Sequence, residues 1–344
     1  MVPSRLPPIK GGHSSFAPLF GITMPPSPEA PESLSARFQL ADGPTLKAAI
    51  RCLLGGRGPA TSGDVEAFLA HARATDLSLD NLWLIRGAGG RSGEVDAACL
   101  CVPSPGATGM IFAGPFDPAA EKAVVAVIDG ACGEIDRSVV SLAQALVDPA
   151  HQVLGRALES ARFTKLATLE LMRRRIQPAD HPPPPLPENL ADHVEIVPWR
   201  RELDEDVISI LDASYIDTLD CPGLRGIRKT SDILAGHHAT GVFDGNLWTI
   251  IQIDGRPVGV VLLNPCPDQE TVELVYVGLC PTARRRGLGR WMIEYAISKA
   301  ATTSMTWLTL AVDEGNHPAM SVYNRSGFQT TSRRMAYIRV LESS

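Results

Sequence analysis

From His193 onward the apolar positions fall into two alternating patterns. Short apolar runs bounded by turn residues predict strands at His193–Trp199, Leu247–Asp254, Pro257–Asn264, Thr271–Leu279 and Thr306–Val312. Spacings of three and four predict helices at Glu202–Ser214, Ser231–His238, Gly287–Ala300 and Asn316–Arg325. Leu288, Trp291, Met292, Tyr295 and Ala296 share one face of the third of these helices, which is what a helix laid on a sheet needs. Asp254-Gly255 reads as a hairpin turn, and a closing strand pair is expected from Phe328. The predicted order is β, α, α, β, β, β, α, β, α, β, β.

Two proline-rich stretches interrupt the chain. Residues 1–33 carry Pro3, Pro7, Pro8, Pro25, Pro26, Pro28 and Pro31 among Gly and Ser, a composition expected of a mobile tail. Residues 177–189 contain Pro182 to Pro185 and Pro187, expected to form a stiff polyproline II spacer. Two lobes, 34–176 and 190–344, are therefore predicted.

Composition narrows the classes. With 44% hydrophobic and 20% charged residues, most of the chain can bury a core. A net charge of −6 argues against a general nucleic-acid or polybasic membrane binder. No apolar stretch approaches the ~20 residues that cross a bilayer, and the prolines near the start argue against a secretory signal. Seven cysteines without a CxxC, mostly inside apolar runs, read as reduced thiols of a cytoplasmic protein.

Chemistry concentrates after the strand ending at Leu279. Cys280-Pro281-Thr282-Ala283-Arg284-Arg285-Arg286-Gly287-Leu288-Gly289-Arg290 places two glycines and four arginines at a predicted helix start. Glycines remove the Cβ atoms that would hold a phosphate off the backbone, and a helix N-terminus offers unpaired N–H groups and partial positive charge. Downstream, Asn316 and Tyr323 lie two turns apart on one side of a helix, with Ala319 between them. Gly327 fits the left-handed residue that ends that helix, and Phe328 its following apolar contact.

Arg284-x-x-Gly287-x-Gly289 resembles the coenzyme-A-binding signature of the GNAT acetyltransferase superfamily, and Asn316 to Phe328 resembles the family's Asn-x-x-Ala-x-x-x-Tyr-x-x-x-Gly-Phe helix. The strand order is also similar. The resemblance implies an α/β (α+β) fold of two GNAT-like lobes, each a mixed, mostly antiparallel central sheet flanked by helices. It implies acetyl-CoA as co-substrate, contacting Val277, Leu279, Arg284, Arg285, Arg286, Gly287, Leu288, Gly289, Arg290, Asn316 and Tyr323. Direct attack of a primary amine on the thioester would then use Glu273 as base, the Leu279 amide as oxyanion donor and Tyr323 as acid. Glu273 can equally be a pairing carboxylate at a strand start. Gly278 is expected to mark a bulge that splays this strand from the next, freeing an edge for pantetheine. Cys280 lacks a partner at local spacing and is expected to be inert.

Against this frame the first lobe reads as a degenerate copy. Ser141–Asp148 echoes Thr306–Asp313, and Phe163 follows Asp148 as Phe328 follows Asp313. In that register His151 stands for Asn316 and Leu158 for Tyr323; placing Pro118 on Pro281, a nearly equal offset, puts Met110 at Glu273, Glu121 at Arg284, Val124 at Gly287 and Ala126 at Gly289. A structural lobe that neither binds coenzyme A nor catalyses is expected. The tandem arrangement is similar to that of mycothiol synthases.

The acceptor would be a small-molecule or peptide amine, walled by the connector carrying Tyr215, Asp217, Thr218, Asp220, Cys221 and Arg225, whose acids favour a cation. No metal is expected, since His237-His238 lacks further ligands at metal spacing. Gly87 to Gly90 reads as a hairpin loop. A non-catalytic acyl-CoA-binding or partner-binding protein is the alternative. A nucleic-acid patch of arginines is disfavoured by the acidic total.

Overall fold

The computed structural model describes residues 33–55, 60–87, 94–114 and 116–341. The tail predicted for 1–33 lies outside these residues except for Ser33, as does the Gly87 to Gly90 loop except for Gly87. The first half runs β1 (Phe38–Leu40), α1 (Leu46–Leu54), α2 (Ser62–Ala74), β2 (Leu82–Arg86), β3 (Val95–Ser104), β4 (Thr108–Ala113), α3 (Glu121–Glu134), β5 (Leu142–Val147), α4 (Gln152–Ser160) and β6 (Thr164–Arg175). The second half repeats the series: β7 (Val194–Pro198), α5 (Asp204–Ser214), α6 (Thr230–Ala239), β8 (Thr249–Ile253), β9 (Arg256–Cys266), β10 (Thr271–Leu279), α7 (Leu288–Ala300), β11 (Trp307–Asp313), α8 (His317–Arg325) and β12 (Gln329–Val340).

All twelve strands join one sheet, ordered β1-β2-β3-β4-β5-β12-β6-β11-β10-β9-β8-β7. It is antiparallel except where β4 meets β5 and β10 meets β11. The halves exchange their last strands. β12 pairs with β5 of the first half, β6 pairs with β11 of the second, and β6 and β12 pair with each other at the junction. Tyr337 and Leu341 accordingly enter the core under α3 and α4, and Met172 enters the core under α7 and α8.

The cores lie on both faces of the sheet. In the second half, Val272, Leu274, Leu308, Leu310 and Val312 pack against α7 and α8. On the opposite face, Val260 and Leu262 pack against Val207, Ile210 and Leu211 of α5, and Leu234 of α6. Burial of such side chains contributes on the order of 1.5–3 kcal/mol each.

Two expectations are corrected. The closing segment is one strand, not a pair: Gln329–Val340 stays paired to β6 across two register shifts, at Thr330/Ser332 and Ala336/Tyr337. The proline-rich spacer is strapped down: short 3₁₀ turns occupy Pro178–Asp180 and Glu188–Leu190, Arg174 grips Asp180 with two 2.6 Å hydrogen bonds, and Trp291 Nε1 donates to the Pro184 carbonyl at 3.1 Å. Among the described residues, no helix is long and apolar enough to cross a membrane.

Candidate active site

The site starts where two parallel strands part. β10 and β11 pair only at Thr271↔Trp307, Val272↔Leu308 and Glu273↔Thr309. Immediately afterwards β10 shifts register against β9 between Leu274 and Tyr276. This places the bulge at Val275, whereas the sequence pointed to Gly278. Gly278 has another reason: a Cβ there would lie 2.6 Å from the Tyr276 ring and 3.0 Å from Ser214 Oγ.

Beyond the bulge the β10 edge facing β11 is unpaired. The Cys280 amide donates to Val258 of β9 at 2.8 Å, so strand alternation turns the amides of Leu279 and Val277 toward the open side. Arg284 Nε takes the Leu279 carbonyl at 3.1 Å. The Leu279 N–H therefore faces the fork.

The loop beyond is shaped for an anion. Arg285 (φ 62) and Gly287 (φ 85) adopt left-handed conformations around Arg286, a backbone shape that turns amides into a concavity. Gly287 is the N-cap of α7 without a side-chain cap, leaving the first amides of the helix unpaired by any side chain. A Cβ at Gly289 would meet nothing closer than Leu279 Cδ1 at 3.6 Å, so internal packing does not demand glycine there. A glycine in a helix costs roughly 1 kcal/mol relative to alanine, and its use here fits close approach by a ligand. Arg285, Arg286 and Arg290 are exposed around this loop, with Arg290 paired to Glu294 at 2.8 Å. Leu288 is buried beneath it.

Arg284 is engaged with backbone carbonyls. Besides the Leu279 carbonyl, it holds those of Ile216 at 2.8 Å and Ser214 at 2.7 Å. These three hydrogen bonds brace the loop against the end of α5.

On the α5 face of the fork sits Glu273, half-buried and without a hydrogen bond or ion pair among the described residues; burial pushes its pKa up. The bulge at Val275 brings Tyr276 onto that same face. Its hydroxyl lies 2.7 Å from Ser214 Oγ, its ring 5.9 Å from that of Tyr215, and burial pushes its pKa to about 12. Asp220 closes the far side: its Oδ1 accepts the Asp313 amide at 2.9 Å, and Asp313 Oδ2 accepts the Cys221 amide at 3.2 Å. Asp220 is exposed as a residue, but partial burial of its carboxyl, reinforced by the Asp313 charge, raises its pKa.

On the α8 face, Tyr323 is buried against Phe328 with ring centroids 5.7 Å apart. Burial, then the proximity of Asp220 and Tyr276, raises its pKa, so the phenol keeps its proton at neutral pH. Asn316 caps α8, accepting the Ala319 amide at 3.3 Å. Its side chain also hydrogen-bonds Asp220, which ties the start of α8 to the acceptor-side connector. Gly327 (φ 83) ends α8, with Phe328 N–H returning to the Tyr323 carbonyl at 3.0 Å. Burial pushes the Cys280 thiol up, away from the thiolate form.

Glu273, Leu279, Val277, Tyr323, Tyr215 and Asp220 therefore gather around one fork, with the 285–290 loop at its mouth. Asp217 is exposed at φ 53 and serves the turn. Tyr276, Ser214 and Asp313 belong to the constellation but carry no sequence signal of their own, since the bulge that delivers Tyr276 leaves no mark in the residue pattern.

Residues 216–328 match the family model described as Acetyltransferase (GNAT) family. A mycothiol acetyltransferase of Thermobifida fusca is 30% identical over 116 residues, covering 34% of this chain and 31% of its own length. The peptidyl-lysine N-acetyltransferase YjaB of Escherichia coli is 28% identical over 117 residues, covering 32% of this chain and 72% of its own. The chain thus spans about a third of the first of these relatives. A GCN5-related N-acetyltransferase from Sphaerobacter thermophilus shares the fold, with a TM-score of 0.54 at 16% identity over 91% of this chain and 98% of that one.

Proposed function

We propose, from a chain whose residues 216–328 form a GNAT domain, that it transfers an acetyl group from acetyl-CoA to a primary amine of a small molecule or peptide. The observation that carries this reading is the fork after Glu273 and Thr309, open at the Leu279 amide and flanked by the loop of Arg285 and Gly287. When bound, acetyl-CoA supplies an acyl thioester. The amides at the start of α7, with Arg285 and Arg286 beside them, would hold its pyrophosphate, and the open β10 edge its pantetheine.

Primary amines are mostly protonated at pH 7, with pKa values from ~8 to ~10.4, so a base is required. Glu273 stands on the acceptor face, and its raised pKa makes it a stronger base than an exposed carboxylate. The Leu279 N–H donates to the carbonyl oxygen as negative charge develops there. Tyr323, protonated and on the other face of the fork, supplies a proton to the departing sulfur. Asp220 gives the acceptor wall an acid suited to a cationic amine.

Isothermal titration of acetyl-CoA tests the reading. The wild type is expected to bind at one site per chain, and a folded Gly287→Glu, Gly289→Glu double variant to lose binding. Absence of heat and of any thermal shift in the wild type would overturn the reading. An amine screen with Glu273→Gln and Tyr323→Phe as controls then identifies the acceptor.

A further inference from the structure

The acceptor side of the fork has a floor that the first half completes. Val272 and Leu274 of β10, Leu308, Leu310 and Val312 of β11, and Met172 of β6 all belong to the core under α7 and α8. Strand alternation therefore puts Glu273, Thr309 and Arg173 on the opposite face. The register sets them side by side, with Glu273 opposite Thr309 across β10 and β11, and Thr309 opposite Arg173 across β11 and β6. One row thus carries a carboxylate, a hydroxyl and a guanidinium, and the last comes from the first half. Solvent reaches this floor, since Ala311 and Arg173 are exposed and Thr309 and Glu273 are only partly covered.

Arg173 is held in place without being paired. Its guanidinium carbon lies 4.2 Å from the centre of the Trp307 ring, its diagonal neighbour on the same face. Stacking on an indole orients the guanidinium plane and leaves the N–H edge to bind a carboxylate. Other arginines of β6 and β12 are used differently: Arg174 is bonded to Asp180, Arg333 to Glu170 and Arg334 to Asp148. Among the described residues neither Arg173 nor Arg175, which stands opposite Trp307 on this face, has an ion-pair partner. An oriented cation without a carboxylate, in the row that holds Glu273, matches an acceptor with an amine at one end and an acid at the other. The row spans two strand spacings, about 10 Å, which is the length of roughly three extended peptide residues.

We infer, on the reading of Glu273 as the base for acetyl transfer, that Arg173 sets acceptor specificity. It binds the carboxylate of an acceptor whose primary amine lies at Glu273, the two groups no more than about 10 Å apart. The first half then serves the second half's site through β6, the strand it places beside β11.

The test uses the full chain with acetyl-CoA and three amines, γ-aminobutyrate, dialanine and trialanine, each as the free acid and as its amide, at fixed low ionic strength. For the acceptor that fits, the acid is expected to exceed the amide about tenfold in kcat/KM, mainly through KM, because the amide forfeits a hydrogen bond between two charged groups. Arg173→Met, which keeps an apolar stem over Trp307, should bring the ratio near one. Arg173→Lys should keep part of the preference and Arg173→Glu should invert it, with melting curves confirming that each variant is folded. Equal kcat/KM for acid and amide in the wild type, a preference that survives in Arg173→Met, or a loss confined to Arg175→Met would overturn the role of Arg173. Calorimetry with the same amines and no acetyl-CoA separates this role from acetyl transfer. Tighter binding of the acid, lost in Arg173→Met, in a protein that transfers nothing would keep Arg173 as the carboxylate site and sink the transferase reading. Turnover without preference for the acid would do the reverse, and neither binding nor turnover of any of the amines would sink both.

Discussion

The two halves build the same fork and treat it differently. β4 and β5 pair in parallel at Thr108↔Leu142, Gly109↔Ala143 and Met110↔Gln144, as β10 and β11 do from Thr271 to Glu273. Then they diverge. β4 stops at Ala113, and a 3₁₀ turn at Pro118–Ala120 leads straight into α3 at Glu121. Asp117 caps that turn by accepting the Ala119 amide at 2.8 Å, and Glu121 adds a second acid in the first turn. β10 instead continues to Leu279, and α7 starts at an uncapped Gly287 ringed by arginines. A helix N-terminus is common to both halves. At the second, Gly287 leaves the first amides without a side-chain cap amid arginines; at the first, Asp117 takes the Ala119 amide of the leading turn and Glu121 adds negative charge where an anion would sit.

The largest effect should come from breaking what the halves share. Deleting residues 329–341 removes β12 from between β5 and β6 and takes Tyr337 and Leu341 out of the first-half core. The expected outcome is loss of cooperative unfolding in both halves, read by circular dichroism and thermal melting. A native-like transition in the truncated chain would mean that the strand exchange is dispensable.

Glu273 and Met110 occupy equivalent positions, the last paired residue before each fork. Glu273→Gln should lower kcat/KM by about 10²–10⁴-fold with acetyl-CoA affinity retained, while Met110→Gln should leave kinetics unchanged. In the wild type, activity should rise with pH through the raised pKa of Glu273, and this limb should vanish in the variant. Stability should move the other way. A carboxyl whose pKa is raised by folding costs stability once pH exceeds its ordinary 4.5, so Glu273→Gln should melt higher at neutral pH and equal the wild type at pH well below 4.5. A melting difference that does not depend on pH would show that Glu273 ionises as freely folded as unfolded.

Much of this contrast is legible in the sequence. The strands and helices of the second half follow from short apolar runs and helical spacing, and the φ > 0 positions at Gly287 and Gly327 from glycines at element ends. The substitutions at Met110, Glu121 and Leu158 are visible once the halves are aligned. What escapes is non-local or without a marker. The exchange of β6 and β12 depends on which edges meet, and either strand alone reads the same in both topologies. The bulge at Val275 shifts Tyr276 to the Glu273 face without a glycine to announce it. Four arginines in one loop look alike as charges, and only the fold assigns Arg284 to three carbonyls.

That assignment sharpens the comparison at intermediate cost. Arg284→Met removes hydrogen bonds to Leu279, Ile216 and Ser214, while its equivalent, Glu121, opens α3 and braces no such loop among the described residues. At ~1 kcal/mol per bond, a stability loss of ~2–3 kcal/mol is expected in a melting experiment, with the KM for acetyl-CoA raised about tenfold as the loop loosens. A raised KM at unchanged stability would instead assign Arg284 to the phosphates.

The smallest expected effect concerns the caps of α4 and α8. His151 and Asn316 take nearly the same backbone conformation, φ −96, ψ 52 against φ −83, ψ 62. Asn316 accepts the Ala319 amide, whereas His151 makes no side-chain cap, so the first amides of α4 go unmatched by a side chain. Since the backbone is already in place, His151→Asn should need no rearrangement to cap α4 and should stabilise by ~1 kcal/mol, with Asn316→Ala costing about the same. Measured by denaturant midpoints at constant m-value, a gain in the first and a loss in the second would show that the first half retains the geometry of the second and lacks only its side chains. No gain from His151→Asn would place the difference between the halves in the backbone as well.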